Sequence, residues 1–391
     1  MKVFDVAIIG GGVIGSSIAF ELAAEKLNVV LLDREEPGRG ASWAAAGMLS
    51  PGPDSPDALP LVPLAKESLG LYRKFVSAIE EASGLHPHFA SVGALQLFPS
   101  PQGEAERDKM VAELRALDIA IEPVSLDHAR GMENAIGPAA RAAAWLPEEA
   151  TVEPRLLMDA LLAALRHREV EIRSGCHVTS LLRHGSRCNG LIAGGEEITA
   201  NFVVLAAGCY SSNLARENSV ENDWLSRCAP THPVRGQMLA LHSDQVNLRR
   251  VLRSERGYLV PRLGGRIVAG STLEEVGFDK RVTAGGMRKI LDAAIELAPN
   301  LAGAEIVETW AGLRPATPDN LPILGPADIE NLFIATGHYR NGILLAPVTA
   351  KLARDWILTK SMAAGAAIFS PLRFAERDVQ VGSSKRNAAN S

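Results

Sequence analysis

Cysteine is scarce in this chain. Four stand in 391 residues, at Cys176, Cys188, Cys209 and Cys228, and none forms a Cys-x-x-Cys pair. That spacing excludes a disulfide framework and a thiolate zinc site, and it suits a reducing cytoplasm. Basic charge is not in excess either. Forty lysines and arginines stand against 45 aspartates and glutamates, a net charge of −5. Without a basic field to neutralise phosphates, a nucleic-acid partner is excluded. Long apolar runs are also missing. The most apolar early stretch, residues 6–22, is broken by glycines and serines, so no integral membrane helix of about 20 residues is expected. The N-terminus lacks the basic and apolar regions of a signal peptide. With 47% hydrophobic residues, the chain can still bury a sizeable core, and its length allows two domains.

Against these absences stands one strong motif. Residues 3–9, VFDVAII, form a short β-branched run of the kind buried on both faces of a sheet. Gly10, Gly12 and Gly15 follow in GGGVIG, then a helical pattern from about Ser16 to Glu25, then NVVLLD ending at Asp33. Strand, glycine turn, helix, strand and acid is the order of a dinucleotide-binding βαβ unit. Gly10 permits the tight turn, Gly12 admits a pyrophosphate close to the backbone, and Gly15 lets helix and strand pack tightly. Free N–H groups and the dipole at the helix start attract the phosphates, and Val13 and Ile14 count with the cofactor-binding positions. Asp33 can accept bonds from ribose hydroxyls. Arg34 could hold a 2′-phosphate, which Asp33 disfavours.

The motif alone does not separate NAD from FAD. Residues 38–50, GRGASWAAAGMLS, are small and nearly uncharged, which suits backbone packed on a large flat ring and equally suits an ordinary loop. Downstream, a helix is expected at 154–167, opened by Pro154, with strands at 169–173, 189–200 and 202–208. Residues 331–357 repeat the plan with a strand at 332–335, a glycine turn and a helix from Gly342. The cofactor domain is thus assembled from three separated pieces.

Between them lie segments of another character. Tyr72, Phe75, Val76 and Ile79 recur at helical spacing after a Pro-rich loop at 51–63. A strand at 93–100 and a charged helix at 103–117 follow. Residues 258–262 and 266–272 flank Gly264-Gly265 as a hairpin; then come a helix at 284–297 and a strand at 307–315. Arg314, in WAGLRP, sits among apolar and small residues, where a planar guanidinium suits a carboxylate.

Seven stretches carry a resemblance: VAIIGGGVIGSSIAFELA, GASWAAAGML, VVLAAGCYS, PVRGQML, GYLVPR, ETWAGLRPATPDNLPILG and GHYRNGILLAP. Together they resemble the D-amino-acid-oxidase-type family of FAD-dependent oxidoreductases, from residue 3 to about 358, and within it the glycine-oxidising branch that serves thiamine biosynthesis. The resemblance implies an α/β fold. A Rossmann-like FAD-binding domain would comprise 1–85, 150–222 and 318–391, beside an antiparallel α+β substrate domain of 86–149 and 223–317. It implies non-covalent FAD, held further by Ser42, Ala46, Gly47 and Met48, by Val178, Ala207 and Gly208, and by His338, Tyr339, Arg340, Asn341, Gly342 and Ile343.

The implied reaction oxidises a small amine that bears a carboxylate: glycine, sarcosine or a small D-amino acid. Hydride passes to the flavin and O2 takes the electrons. The imine supplies thiazole synthesis or hydrolyses to the keto acid, which for glycine is glyoxylate, with ammonia and hydrogen peroxide released. Arg314 would clamp the α-carboxylate, the alternative being a structural salt bridge. Tyr258 would add a second bond, or else pack as an ordinary tyrosine. Arg340 would hold substrate or polarise the flavin edge, or serve as a structural ion pair. His338 reads as a packing or hydrogen-bonding residue, Cys209 as buried and inert, and Leu273 as a candidate lining residue that sets substrate size. No metal is called for. A homo-oligomer is expected. A dehydrogenase that passes electrons to a partner or quinone, and a flavin-binding module without turnover, share the same motifs.

Overall fold

The structure, a computed structural model, describes residues 3–216 and 223–374. Residues 380–391, which read as a loose polar tail in the sequence, lie outside them. The β-branched run at the start forms the strand Val3–Ile9, which pairs in parallel with Val29–Leu32 on one side and Glu196–Leu205 on the other. An eight-stranded sheet grows from it, in the order Ile323–Pro326, Leu332–Thr336, Glu196–Leu205, Val3–Ile9, Val29–Leu32, Glu171–Arg173, with a hairpin of Val178–His184 and Arg187–Ala193 at its side.

The first helix runs Val13–Ala24, so it starts three residues before the expected Ser16. Gly10 turns the chain at φ +104°, which leaves Gly12 as the N-cap. The strand expected at 189–200 is two strands. Gly194 and Gly195, both at positive φ, turn the chain between Ala193 and Glu196, and the second arm absorbs the strand expected at 202–208. Residues 178–184 supply a further strand that no pattern in the sequence announced. The helices Pro154–His167 and Gly342–Thr359 stand where expected.

Helix Val62–Ser83 buries Tyr72, Phe75, Val76 and Ile79 on one stripe. Its Tyr72 hydroxyl donates to the Ile343 carbonyl at 3.1 Å, and Ser68 Oγ donates to the Leu344 carbonyl at 2.6 Å. These two bonds, deep in the core, fix where helix Gly342–Thr359 begins.

The second sheet also has eight strands, in the order Glu305–Ala316, His232–His242, Arg266–Gly270, Tyr258–Pro261, Val251–Arg253, Ala94–Phe98, Ala142–Leu146, Glu122–Val124. It is not wholly antiparallel as expected: Val251–Arg253 and Ala94–Phe98 run parallel, because they join segments far apart in the chain. Its longest ladder pairs His232–His242, the strand that carries the PVRGQML stretch, with Glu305–Ala316.

Candidate active site

A cavity of about 420 Å³ is lined from both sheets. Gly10, Gly12, Val13, Ile14, Asp33 and Arg34 line one part of it, with Val178, Ala207 and Gly208. Ser42, Ala46, Gly47 and Met48 line it from the small-residue segment. The stretch His338–Ile343, with Tyr339, Arg340, Asn341 and Gly342, joins them, and so do Arg314 and Tyr258. Of the expected cofactor-binding residues only Gly15 stands outside the lining. A Cβ there would overlap the Gly10 carbonyl oxygen, so Gly15 acts by letting the first helix touch the first strand.

Two helix starts meet this cavity. Gly12 caps the first helix without a side-chain bond, and the Val13 N–H donates to Ser42 Oγ at 2.9 Å. Asn341 likewise caps Gly342–Thr359 without a side-chain bond. The positive ends of these two helices, with no cap side chain of their own, suit an anion such as a pyrophosphate. Asp33 is held rigidly: Oδ2 accepts the Gly11 N–H at 2.7 Å and Oδ1 the Glu35 N–H at 2.9 Å. Burial pushes its pKa up, and those two bonds oppose the rise. A carboxylate with two of its four lone-pair sites taken keeps acceptors for ribose hydroxyls. Arg34 lies over the Tyr210 ring, 3.3 Å from its centroid, and pairs with Glu35 at 3.1 Å. That engagement leaves it committed within the chain rather than open to a 2′-phosphate. The donors, the ribose acceptor and the cleared backbone together fit FAD.

Strand Glu305–Ala316 builds the other end. Period two places Trp310, Gly312 and Arg314 on one face. Trp310 Nε1–H donates to the Ala44 carbonyl at 3.1 Å, and a Cβ at Gly312 would overlap Ala44. Arg314 donates from Nη1 to the Thr272 carbonyl at 3.1 Å and from Nη2 to Ser271 Oγ at 2.8 Å. Among the described residues no carboxylate forms an ion pair with it. Burial pulls its pKa down, opposed by Tyr258 among others, yet an arginine keeps its charge. The Tyr258 hydroxyl donates to Met238 Sδ at 3.3 Å. The result is a cationic fork in a cavity wall, with donors to spare for an anion.

Other expectations meet different outcomes. Arg340 pairs with Asp54 of the Pro-rich loop at 3.6 Å, the ion-pair alternative. His338 is buried, bonded through Nε2 to Thr349 Oγ1 at 3.0 Å, and burial pushes its pKa down to about 3. It is neutral at working pH. Cys209 is buried with its pKa pushed up to about 12, so the thiol is inert. Leu273 is corrected: it is 59% exposed and outside the cavity lining, because the chain leaves the hairpin outward there.

Sequence reasoning missed Gly236, whose Cβ would overlap the Arg314 guanidinium. It also missed Arg253, which lines the cavity and is fixed by Glu149 at 2.8 Å and Gln96 at 2.9 Å. Cross-strand register decides both, and no local motif announces either.

Comparison with known proteins agrees with this geometry. A family model described as FAD dependent oxidoreductase (DAO) matches residues 5–356. The chain is 36% identical over 362 residues to the bifunctional protein ThiO/ThiG of Trichormus variabilis, covering 90% of this chain but 52% of that protein, so it spans about half that relative's length. It is 33% identical over 353 residues to the glycine oxidase of Pseudomonas putida, covering 90% of this chain and 93% of that one. The crystal structure of glycine oxidase from Geobacillus kaustophilus superposes with a TM-score of 0.87 at 31% identity, covering 95% of this chain and 98% of the other. A dinucleotide cradle fed by two helix starts, facing an arginine in the cavity wall and matched along nearly its whole length, places this chain in the DAO family of FAD-dependent oxidoreductases.

Proposed function

We propose that this protein oxidises glycine, and more slowly sarcosine or small D-amino acids, to the imine, with O2 as acceptor and hydrogen peroxide as product. The observation that carries the proposal is Arg314: a half-buried guanidinium in the cavity wall with two neutral acceptors and, among the described residues, no carboxylate. Such a group is left for an anionic part of the substrate. Arg314 binds the α-carboxylate bidentately, and Tyr258 adds a hydroxyl from the adjacent wall. When bound, FAD would supply the acceptor for the hydride that leaves the substrate Cα as the nitrogen lone pair forms the imine C=N bond. The chain's residues orient the amine and exclude water; orientation is most of what this chemistry asks of a protein. Neutral His338 is bonded to Thr349 and takes no proton, so the amine must arrive unprotonated and the rate rises with pH.

The likeness to glycine oxidases and to ThiO/ThiG supports a supply of glycine imine to thiazole synthesis. We keep the FAD-binding domain as 1–85, 150–222 and 318–391 and the substrate domain as 86–149 and 223–317, a division that the membership of the two large sheets supports. We place the protein in the cytoplasm as a homo-oligomer. No described helix is long and apolar enough to cross a membrane.

The test is the visible spectrum of the purified protein before and after anaerobic glycine, followed by peroxide release in air. Bleaching with peroxide supports the proposal. Bleaching without peroxide points to a dehydrogenase, and no bleaching with glycine, sarcosine, D-alanine or D-proline points to a binding module without turnover.

A further inference from the structure

The small-residue segment Trp43–Gly47 is held from outside by its carbonyl groups. The Trp43 carbonyl accepts from Arg155 Nε at 3.4 Å, and the Ala44 carbonyl accepts from Trp310 Nε1 at 3.1 Å. The Ala46 carbonyl accepts from Arg262 Nη2, and the Gly47 carbonyl accepts the Val152 N–H at 2.9 Å. The donors come from helix Pro154–His167, from strand Glu305–Ala316, from Arg262 just past strand Tyr258–Pro261 and from the residue before Glu153. Opposite these bonds, the N–H groups of Ala46 and Gly47 have no acceptor among the described residues, although both residues line the cavity.

A trans peptide is planar, with its C=O and N–H on opposite sides. Fixing the Ala46 carbonyl on Arg262 therefore fixes the Gly47 N–H on the far side of the same plane. Gly47 stands at φ +71°, and a Cβ there would overlap the Val152 carbonyl oxygen, so the backbone lies hard against Val152 and only glycine fits. The Arg262 guanidinium is itself locked: its side chain is 8% exposed and paired with Glu153. Both partners are anchored, Arg262 beside a hairpin strand and Glu153 as the N-cap of helix Pro154–His167, where it accepts the Arg155 N–H at 3.4 Å.

We propose that Arg262 is a positioning residue that aims the Gly47 N–H into the cavity as a fixed donor to the electron-accepting part of FAD. This rests on the reading of the cavity as the FAD site. A fixed donor strengthens its bond where negative charge develops, so it raises the reduction potential of the bound group without touching the substrate. The two arginines thereby act on different steps. Arg314 governs substrate affinity, and Arg262 governs how readily electrons are accepted.

The test replaces the pair together, Arg262→Met with Glu153→Met, so that neither charge is left buried alone. The midpoint potential of the bound flavin is measured beside KM and kcat for glycine. The expected result is a yellow protein whose reduction equilibrium falls at least tenfold, about 30 mV for a two-electron couple, with lower kcat and unchanged KM. Arg262→Lys, which keeps a donor, restores part of the potential. An unchanged potential in the yellow double variant overturns the proposal, and so does a folded variant that has lost FAD, since the pair would then be a prop of the cavity. Should the variants fail to fold, amide exchange of Gly47 in the wild type decides. Protection on adding FAD supports the donor role, and equal exchange with and without FAD overturns it. A wild type that stays colourless with added FAD overturns the cofactor reading and this inference with it.

Discussion

Arg314 is charged, half-buried in the cavity wall and without a carboxylate partner among the described residues, and those three facts together set its consequence. A hydrogen bond to a charged group contributes about 1.5–3 kcal/mol. Arg314→Ala should therefore raise KM for glycine by roughly 10- to 150-fold and leave the protein yellow. Loss of FAD, or an unchanged KM, would refute the carboxylate role. His338 makes a second prediction at this scale. Its folded pKa is about 3 against 6.5 for a free histidine. Between those values the unfolded chain binds the extra proton. Stability is then fully present above pH 6.5 and is lost as pH falls toward 3, by up to about 1.4 kcal/mol per unit. Tm should fall more steeply from pH 6.5 to 4.5 in the wild type than in His338→Gln; equal slopes would contradict it. Both residues were legible by type and motif. Their partners were not, because Thr272 and Thr349 reach them through the fold.

At the scale of elements, the pairing of His232–His242 with Glu305–Ala316 decides where the arginine points. The ladder places Gly236 opposite Gly312 and diagonal to Arg314. Gly236→Ala adds one methyl where the guanidinium lies. The backbone there tolerates alanine, so the strand survives while Arg314 shifts. KM for glycine should rise at least about tenfold with the visible spectrum retained, and a KM within twofold of wild type would show that the fork has room to move. Most elements here were legible from periodicity and caps: helix Pro154–His167 from Pro154, and helix Ala284–Leu297 from its helical pattern. The hairpin Arg187–Leu205 was less so, since an apolar run with a Gly-Gly turn inside it reads as one strand until its two halves pair.

Across the whole molecule, the cavity draws on both sheets and on helix starts far apart in sequence. A ligand bound there couples the two sheets. FAD at a thousand times its Kd should stabilise the folded chain by about 4 kcal/mol, and the apo and holo proteins should each unfold in one transition. Two transitions, only one of them moved by FAD, would show that the sheets unfold independently. Acid precipitation should release all the flavin to the supernatant, because Cys209 is buried and protonated.

The sequence by itself determined the dinucleotide cradle. Its parts are local: a β-branched strand, glycines at fixed spacing and an acid at the end of the next strand all lie within about thirty residues, where backbone sterics act alone. It also singled out Arg314 as a group suited to an anion, since a guanidinium among apolar residues calls for a partner. Tertiary structure decided the rest. That Gly236 clears space for the guanidinium, that Asp54 pairs with Arg340, that Leu273 faces outward and that Arg262 holds the Ala46 carbonyl all depend on strand register and on loops meeting across the cavity. A register shift of one residue would reverse which side chains face inward, and no local pattern in the sequence fixes that choice.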